Sequence, residues 1–383
     1  MKNTSARLRR TGCLLAAGIL FLIFLIPLNQ IQKTKLLENE GRNFDKAVVT
    51  QVMEDNTTDG GNTVGHQTVR LQLTSGEHKG EEVTATSSSS YLFGAHCRKG
   101  MHVIALVSQS QGELVASVYS VDRGMAIYVM IAIFLLCIVL IGGKKGLASV
   151  LSLLFTFVCV LFLFLPVIYR GFSPIAAAIL VVVLTTAVTM LLVDGVTRKS
   201  FAATVGTVLG VGIAGAFAWI FGRVTEISGY NVSDIEDLIY VEQMTDIRIG
   251  ELLFAGILIA ALGAVMDVGM SVASTIHELH QTNSSLSRTE LFRSGMNVGR
   301  DMMGTMSNTL ILAFTGGSIN TLVFLYAYDY QYLQLVNMYS VGIELMQGIA
   351  ASMGVILAVP TTAFVAAWLF GRPHPVQKEQ GVK

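Results

Sequence analysis

The sequence is poor in charge and has no excess of either sign. Only 14% of its 383 residues are charged, with 26 acidic and 26 basic side chains. This balance gives no support to a nucleic-acid partner or an acidic substrate, because both favour a basic surface. By contrast, 52% of the residues are hydrophobic and the mean hydropathy is +0.60. This composition is typical of an integral membrane protein.

Cysteines and catalytic motifs are also scarce. Cys13, Cys137 and Cys159 lie in apolar runs and Cys97 stands alone, which argues against a disulfide framework or a CxxC metal site. The Walker A, GxSxG and strand-linked GxGxxG patterns are absent, so ATP-driven transport by this chain alone and hydrolase chemistry lose support. The segment HELH (277–280) differs from the zinc motif HExxH because its histidines are three residues apart instead of four. We therefore predict no metal, no cofactor and no enzymatic activity, and keep an intramembrane enzyme as the least favoured alternative.

Long apolar runs organise the chain into transmembrane helices. Each is close to the 20 or so residues that cross a bilayer core. A first anchor, residues 12–28, follows the basic start MKNTSARLRR, and a cleaved signal peptide is the alternative there. The further runs are residues 124–141, 147–168, 175–193, 201–221, 249–270, 305–328 and 346–370. The prediction is an α-helical membrane bundle of about eight helices, with nine as the alternative.

Charged loops predict the orientation of these helices. The short segments GGKKG (142–146) and TRKS (197–200) are basic, whereas residues 222–248 are mainly acidic. Under the positive-inside rule, both chain termini are cytoplasmic and the acidic loop is outside.

The segment between the first two helices is a different kind of sequence. Five short β-prone runs are separated by Gly, Asn and Ser clusters, and Val69, Leu71 and Leu73 alternate most clearly. We predict a small extracytoplasmic barrel or sandwich, which serves as a cap or partner-docking module or, alternatively, binds a ligand. The predicted parts are an N-terminus with anchor (1–34), this all-β domain (35–123), the multi-pass domain (124–370) and a cytoplasmic tail (371–383).

Local patterns add two kinds of helix signal. Ser233 with Glu236, and Ser287 with Glu290, have the spacing of a capping box, which predicts helix starts at both places. Gly206, Gly210 and Gly215 are interpreted as sites where helices pack closely.

A polar face follows the sixth predicted span. On a helix, Ser271, Ser274 and Glu278 lie within about 40° of Asp267, so the four side chains form one stripe. An acid in hydrocarbon is costly unless it is paired or wet, which makes Asp267 a candidate functional residue. The alternative is a helix that emerges from the membrane at Asp267 with an ordinary solvated face.

A second polar face lies in GRDMMGTMSNTLILAFTGGSIN (299–320). Asp301, Thr305, Asn308 and Thr315 share one side of the helix, and Arg300 is a neighbouring snorkelling or partner residue. Gly316 and Gly317 are predicted to break the helix, as in transporters whose broken helices form binding sites. The alternative role of this pair is close helix packing. Two such faces in one apolar bundle are expected to meet, through hydrogen bonds or around a wet cavity.

Two segments, MDVGMSVASTIHEL (266–279) and NVGRDMMGTMSNTLILAFTGGS (297–318), resemble the YibE/F family of bacterial membrane proteins. The resemblance extends over about residues 124–370, and the β-rich segment is similar to that of the longer member of the pair. It implies a multi-pass protein of the bacterial plasma membrane, often with a neighbouring shorter homologue. It carries no catalytic residues to this chain.

Two functional hypotheses follow. The first is a secondary transporter or permease, for efflux in one version, whose pathway is formed by the two polar faces and the Gly-Gly break. The second is a non-transporting scaffold or assembly subunit that works with a shorter homologue or a second copy of itself. The expected partners are the lipid bilayer, that chain, and an unidentified small molecule or ion.

Overall fold

The structure is a computed structural model that describes residues 18–31, 33–34, 41–55, 65–88, 93–110 and 113–371. The chain divides into two compact units, one of residues 35–137 and one of all the other residues. The predicted basic start of the chain and nearly all of its predicted cytoplasmic tail lie outside the described residues.

The first compact unit contains a closed five-stranded barrel. Its hydrogen-bonded order is β1-β2-β3-β5-β4, with antiparallel neighbours except for the parallel pair β3 and β5. This is the strand order of the OB-fold, a five-stranded Greek-key barrel. The predicted small all-β domain is confirmed, and each of its five β-prone runs contributes one strand. The strands are β1 (Arg42–Glu54), β2 (His66–Leu73), β3 (Glu82–Ser88), β4 (His102–Ser110) and β5 (Glu113–Val121).

Alternation of side chains fills the barrel interior. Val69, Leu71 and Leu73 on β2 are all at most 1% exposed, as their spacing predicts for the inner face of a strand. Gln67 precedes them on the same face and is also buried. A buried amide needs hydrogen-bond partners, and Gln67 has them.

Gln67 attaches the segment before β4 to the barrel. The Cys97 backbone N–H donates to Gln67 Oε1 at 2.6 Å, and Gln67 Nε2 donates to Asp55 Oδ1 at 2.9 Å. Burial raises the pKa of the Cys97 thiol, which keeps this residue in its neutral form. The amide thus links β2, the end of β1 and the chain around Cys97.

Replacing Gln67→Leu should destabilise the barrel by about 1–3 kcal/mol, because the Cys97 N–H would be left buried without an acceptor. Hydrogen exchange of the barrel amides in the full-length protein measures this loss. The control is Gln72→Leu, since Gln72 is exposed on the same strand. Equal protection in both variants would contradict the assigned role of Gln67.

Helices make up the rest of the fold. They are α1 (Gly18–Asn29), α2 (Gly124–Val158), α3 (Leu165–Tyr169), α4 (Pro174–Asp194), α5 (Arg198–Thr225), α6 (Ile235–Met244), α7 (Leu252–Thr282), α8 (Arg288–Gly317), α9 (Ile319–Ala327), α10 (Tyr332–Val336) and α11 (Tyr339–Phe370). A π-helical segment, Cys159–Phe164, joins α2 to α3. Short 3₁₀ turns lie at Gly229–Asn231 and Ile249–Glu251.

Five of the described helical segments are long and apolar enough to cross a membrane, and the bent pair α8–α9 brings the number to six. One of the five is the 46-residue stretch Gly124–Tyr169, in which two spans are predicted. Gly143 has non-helical backbone angles there, and a β-carbon at Gly146 would overlap the Ile138 carbonyl oxygen. Eight residues of straight helix would hold those groups about 12 Å apart, so the chain bends sharply at the predicted GGKKG loop. The number of crossings and their orientation stay predictions.

The core of the helical unit is a close crossing of α5, α7 and α11. A β-carbon at Gly210 on α5 would lie 2.7 Å from Val265 Cγ1, 2.8 Å from the Ala358 β-carbon and 3.0 Å from the Gly354 carbonyl oxygen. Small residues therefore let three backbones approach, as the sequence predicts for Gly206, Gly210 and Gly215.

One predicted capping box is wrong, although the helix that it was expected to start is present. The acidic helix α6 begins after Asp234, which forms no side-chain cap, so Ser233 and Glu236 do not form the expected capping box. That motif occurs instead at Ser228 and Asn231, around the preceding 3₁₀ turn. The capping hydrogen bonds therefore form at the 3₁₀ turn before α6 and not at the start of α6 itself.

Gly210→Val should lower the stability of the purified protein strongly, since the added methyl groups would push α5 away from α11 and α7. Overpacking of a tight core costs about 1–3 kcal/mol, and backbone separation adds to this. Thermal unfolding in detergent measures the effect. Gly212→Val is the matched control, because a β-carbon at Gly212 has no neighbour within 4 Å. Similar melting temperatures for the two variants would contradict this packing.

Candidate functional site

Helix α8 carries the longer of the two predicted polar faces. Its start is fixed by the predicted capping box, in which Ser287 and Glu290 satisfy each other's backbone amides. From there the helix runs without interruption to Gly317. The side chains predicted to share its polar side are all exposed, and they are Asp301, Thr305, Asn308 and Thr315. Their neighbour Arg300 is exposed as well.

The opposite side of α8 packs on α11. A β-carbon at Gly299 would overlap Val359, and one at Gly295 would lie 3.2 Å from the Ala363 β-carbon. The two helices are therefore antiparallel and in close contact through small residues. This contact turns the face of Asp301 away from α11, because Gly299 and Asp301 differ by about 160° on the helix.

Two buried hydroxyls lie within the α8–α11 contact. Gly348 faces Ile311, and continuing the antiparallel register by one turn places Ser307 level with Ser352. Both hydroxyl oxygens are buried and have no hydrogen-bond partner among the described residues. This interface therefore contains a small polar patch that the sequence interpretation did not include.

Helix α7 carries the first predicted polar face. Asp267 and Glu278 are exposed, and Ser271 and Ser274 are partly buried. Ile276, on the opposite side of α7, is fully buried, and its Cδ1 would lie 2.6 Å from a β-carbon at Gly295 of α8. Helix α7 therefore contacts α8 through an apolar residue that lies about 180° from Asp267.

The two polar faces do not form the contact between α7 and α8. The carboxylates of both faces are exposed, and Ser271 and Ser274 are partly buried, whereas the sequence predicts that the two faces meet. The physical reason is that small and apolar residues, represented by Ile276 and Gly295, allow closer packing than the carboxylates would. The carboxylates on both helices are therefore accessible to lipid, to water or to another protein chain.

The predicted helix break is present. Helix α8 ends at Gly317, α9 begins at Ile319, and their axes differ by 64°. Ser318 lies between them, and its hydroxyl donates to the Phe314 carbonyl oxygen at 3.0 Å. A β-carbon at Gly316 or Gly317 would have no neighbour within 4 Å among the residues that the structure describes, so the pair is not a close-packing site within that part of the chain.

A cavity of about 760 Å³ lies beside this bend, between α8, α9, α10 and the start of α11. Thr315 lines it and also belongs to the polar face of α8, so the cavity and that face are continuous. Neither Asp267 nor Asp301 lines the cavity. Aliphatic and aromatic side chains form most of its wall, with Phe314, Tyr326 and Tyr330 as the aromatic members.

Two carboxylates in the cavity wall were missed by the sequence interpretation. They are Asp329 in the α9–α10 loop and Glu344 in the second turn of α11, which is partly buried. The last span was predicted to begin at Met346, which left Glu344 outside the membrane helix. The structure begins α11 at Tyr339, after Met338, which provides no side-chain cap that a sequence pattern could reveal.

The histidines of HELH serve packing. The rings of His277 and His280 lie 5.1 Å and 5.6 Å from the ring of Phe370, the last residue of α11. Among the described residues there is no group of three or more His, Cys, Asp or Glu side chains that could hold a metal ion.

The barrel has an aromatic patch that the sequence interpretation also missed. Phe44 on β1 and Phe93 before β4 lie 5.1 Å and 5.9 Å from the ring of Tyr119 on β5, and all three are exposed. Strand pairing brings these rings together from distant parts of the sequence. The three rings form an exposed apolar cluster on the barrel.

The apolar helices and their small-residue contacts define a multi-helix membrane protein. A family model described as YibE/F-like protein matches residues 130–372, which is more than half of the chain. The chain belongs to the YibE/F-like family, as its two signature segments indicate. No curated protein and no solved structure matches it. The barrel strands lie outside the matched residues.

Replacing both glycines of the bend, Gly316→Ala and Gly317→Ala, should leave the fold intact. Each position has room for a methyl group, and alanine favours helix by up to about 1 kcal/mol. The melting temperature in detergent should therefore stay constant or rise by a few degrees. A marked loss of stability would instead show that the pair packs against a neighbour, as in the alternative interpretation.

Proposed function

We propose that the protein is a secondary transporter or permease whose pathway follows the polar face of α8. The observation that carries this proposal is the continuity of that face with the cavity at Thr315. Asp301 and Thr315 are fourteen residues apart, or about 21 Å along a helix. This distance covers most of a bilayer core of about 30 Å.

The unfavourable free energy of polar side chains in lipid supports the same proposal. A face with Asp301, Thr305 and Asn308 is unfavourable against lipid, so at membrane depth it requires water or another protein surface. The bend at Ser318 adds backbone groups of the kind that broken transporter helices use to bind substrates and ions.

Helix α7 has a secondary role in this proposal. Asp267 stands on a separate exposed face, so it acts as a coupling acid only where a second chain or a rearrangement brings it towards α8. Asp301, which shares its face with Thr315, is the first candidate for a coupling proton or cation.

Asp301→Asn should abolish the flux of whichever solute the reconstituted wild-type protein moves, and Asp267→Asn should do so if both acids serve one pathway. Neither change should lower the melting temperature, because both side chains are exposed. Proteoliposomes tested with a panel of ions and small solutes measure the flux. Full flux in both variants would place the pathway elsewhere.

Water access along α8 gives a test that requires no known substrate. In a background without native cysteines, Thr305→Cys, Asn308→Cys and Thr315→Cys should react with a membrane-impermeant thiol reagent in proteoliposomes. Leu310→Cys is the control, because Leu310 is partly buried and packs against the helical core. Protection of all three polar positions would contradict a water-filled pathway.

The second candidate function is a non-transporting assembly subunit. The exposed rings of Phe44, Phe93 and Tyr119 favour it, because they offer a docking surface on the barrel. In that case the polar face of α8 is covered by a second copy or a shorter homologue, and the cysteines above are protected. Asp301→Asn would then weaken assembly, measured by the mass of the purified complex, without affecting flux.

A further inference from the structure

We propose that the cavity between α9 and α11 binds an organic cation with a large apolar part, held by the carboxylate of Glu344. As a statement about the transported substrate, this inference rests on the proposed function. As a statement about binding, it depends only on the cavity.

The charge of the cavity determines the sign of the ligand. Asp329 and Glu344 are the acidic side chains in its wall, and none of the residues that line it is basic. Neither acid has a hydrogen bond or salt bridge to a residue that the structure describes. An unpaired carboxylate in an apolar wall is stabilised by an incoming cation.

The position of Glu344 strengthens this choice. The side chain is partly buried, and its neighbours in the wall include Leu345, Gly348 and Leu325. A charge pair formed in such surroundings is stronger than one at an open surface, because less water screens it. Asp329 is the exposed acid of the same wall, so more water screens its attraction for a cation.

The aromatic residues of the wall contribute in the same direction. Tyr326 and Tyr330 line the cavity together with the two acids. Their rings have faces on which a cation can lie.

Size and surface decide against a bare metal ion. The cavity has a volume of about 760 Å³ and a mostly apolar wall with a few hydroxyls and two carboxylates. A volume in the range of about 300–1,000 Å³ with a few polar groups is typical of sites for small organic molecules. A small inorganic ion would leave most of this apolar surface uncovered.

Binding of tetraphenylphosphonium to the full-length protein in phosphatidylcholine nanodiscs tests the inference. Equilibrium dialysis against empty nanodiscs should reveal one saturable site. Glu344→Gln should weaken binding by at least about tenfold, because the charge pair is lost. Leu345→Trp, which keeps the carboxylate but fills the cavity, should also prevent binding.

Two controls separate charge from apolar contact. Tetraphenylborate has nearly the same shape and the opposite charge, so it should not bind saturably to the wild-type protein. Glu236→Gln removes an exposed acid on α6 that does not line the cavity, so it should leave cation binding unchanged. The melting temperature of each variant confirms that it is folded.

Two outcomes would overturn the inference: equal binding of both probes, or cation binding that Glu344→Gln does not change. Either would indicate that the cavity is an apolar groove occupied by lipid. Failure of the transport proposal gives a different result. In that case the phosphonium ion binds as described, but proteoliposomes move no solute of the panel faster than protein-free liposomes do. Conversely, Asp301-dependent flux of another solute without phosphonium binding would preserve transport and reject this site.

Discussion

The close approach of α5 to α11, with α7 against both, is the constraint on which the helical unit depends. Where Gly210 meets Gly354 and Ala358, backbone lies against backbone with almost no side chain between them. Attraction between helices in lipid arises mainly from such packing, since moving an apolar side chain from lipid to protein gains little. The crossing therefore provides both the stability and the alignment of the neighbouring helices.

The orientation of helix α8 is determined by its packing against this core. Gly295 and Gly299 lie against α11 and α7, so the helix is attached by its smallest residues and its polar side remains open. The same arrangement leaves a gap where α8 ends and α9 turns away by 64°. The cavity and the polar face therefore have the same cause. The small residues that hold α8 against its neighbours also determine which side of the helix is exposed.

Much of this could be predicted from periodicity and composition. The five β-prone runs, the capped start of α8, the break after Gly317 and the packing role of Gly210 all follow from local rules. The separation of the two polar faces could not be predicted, because a helical wheel gives the direction of Asp267 and Asp301 but does not identify the residues beside either. Glu344 and the ring cluster around Tyr119 were missed for a related reason. Each depends on segments that are distant in sequence.

The crossing of α5 with α11 also has a consequence for biogenesis. Helix α5 is synthesised well before α11, the last described helix, so its glycine face has no permanent partner while the intervening segments enter the membrane. The contact between α5 and α11 can form only when α11 has been made. A chain interrupted before α11 would leave the glycine face of α5 uncovered and open to other helices. Cellular quality control could recognise an incomplete copy by that uncovered face.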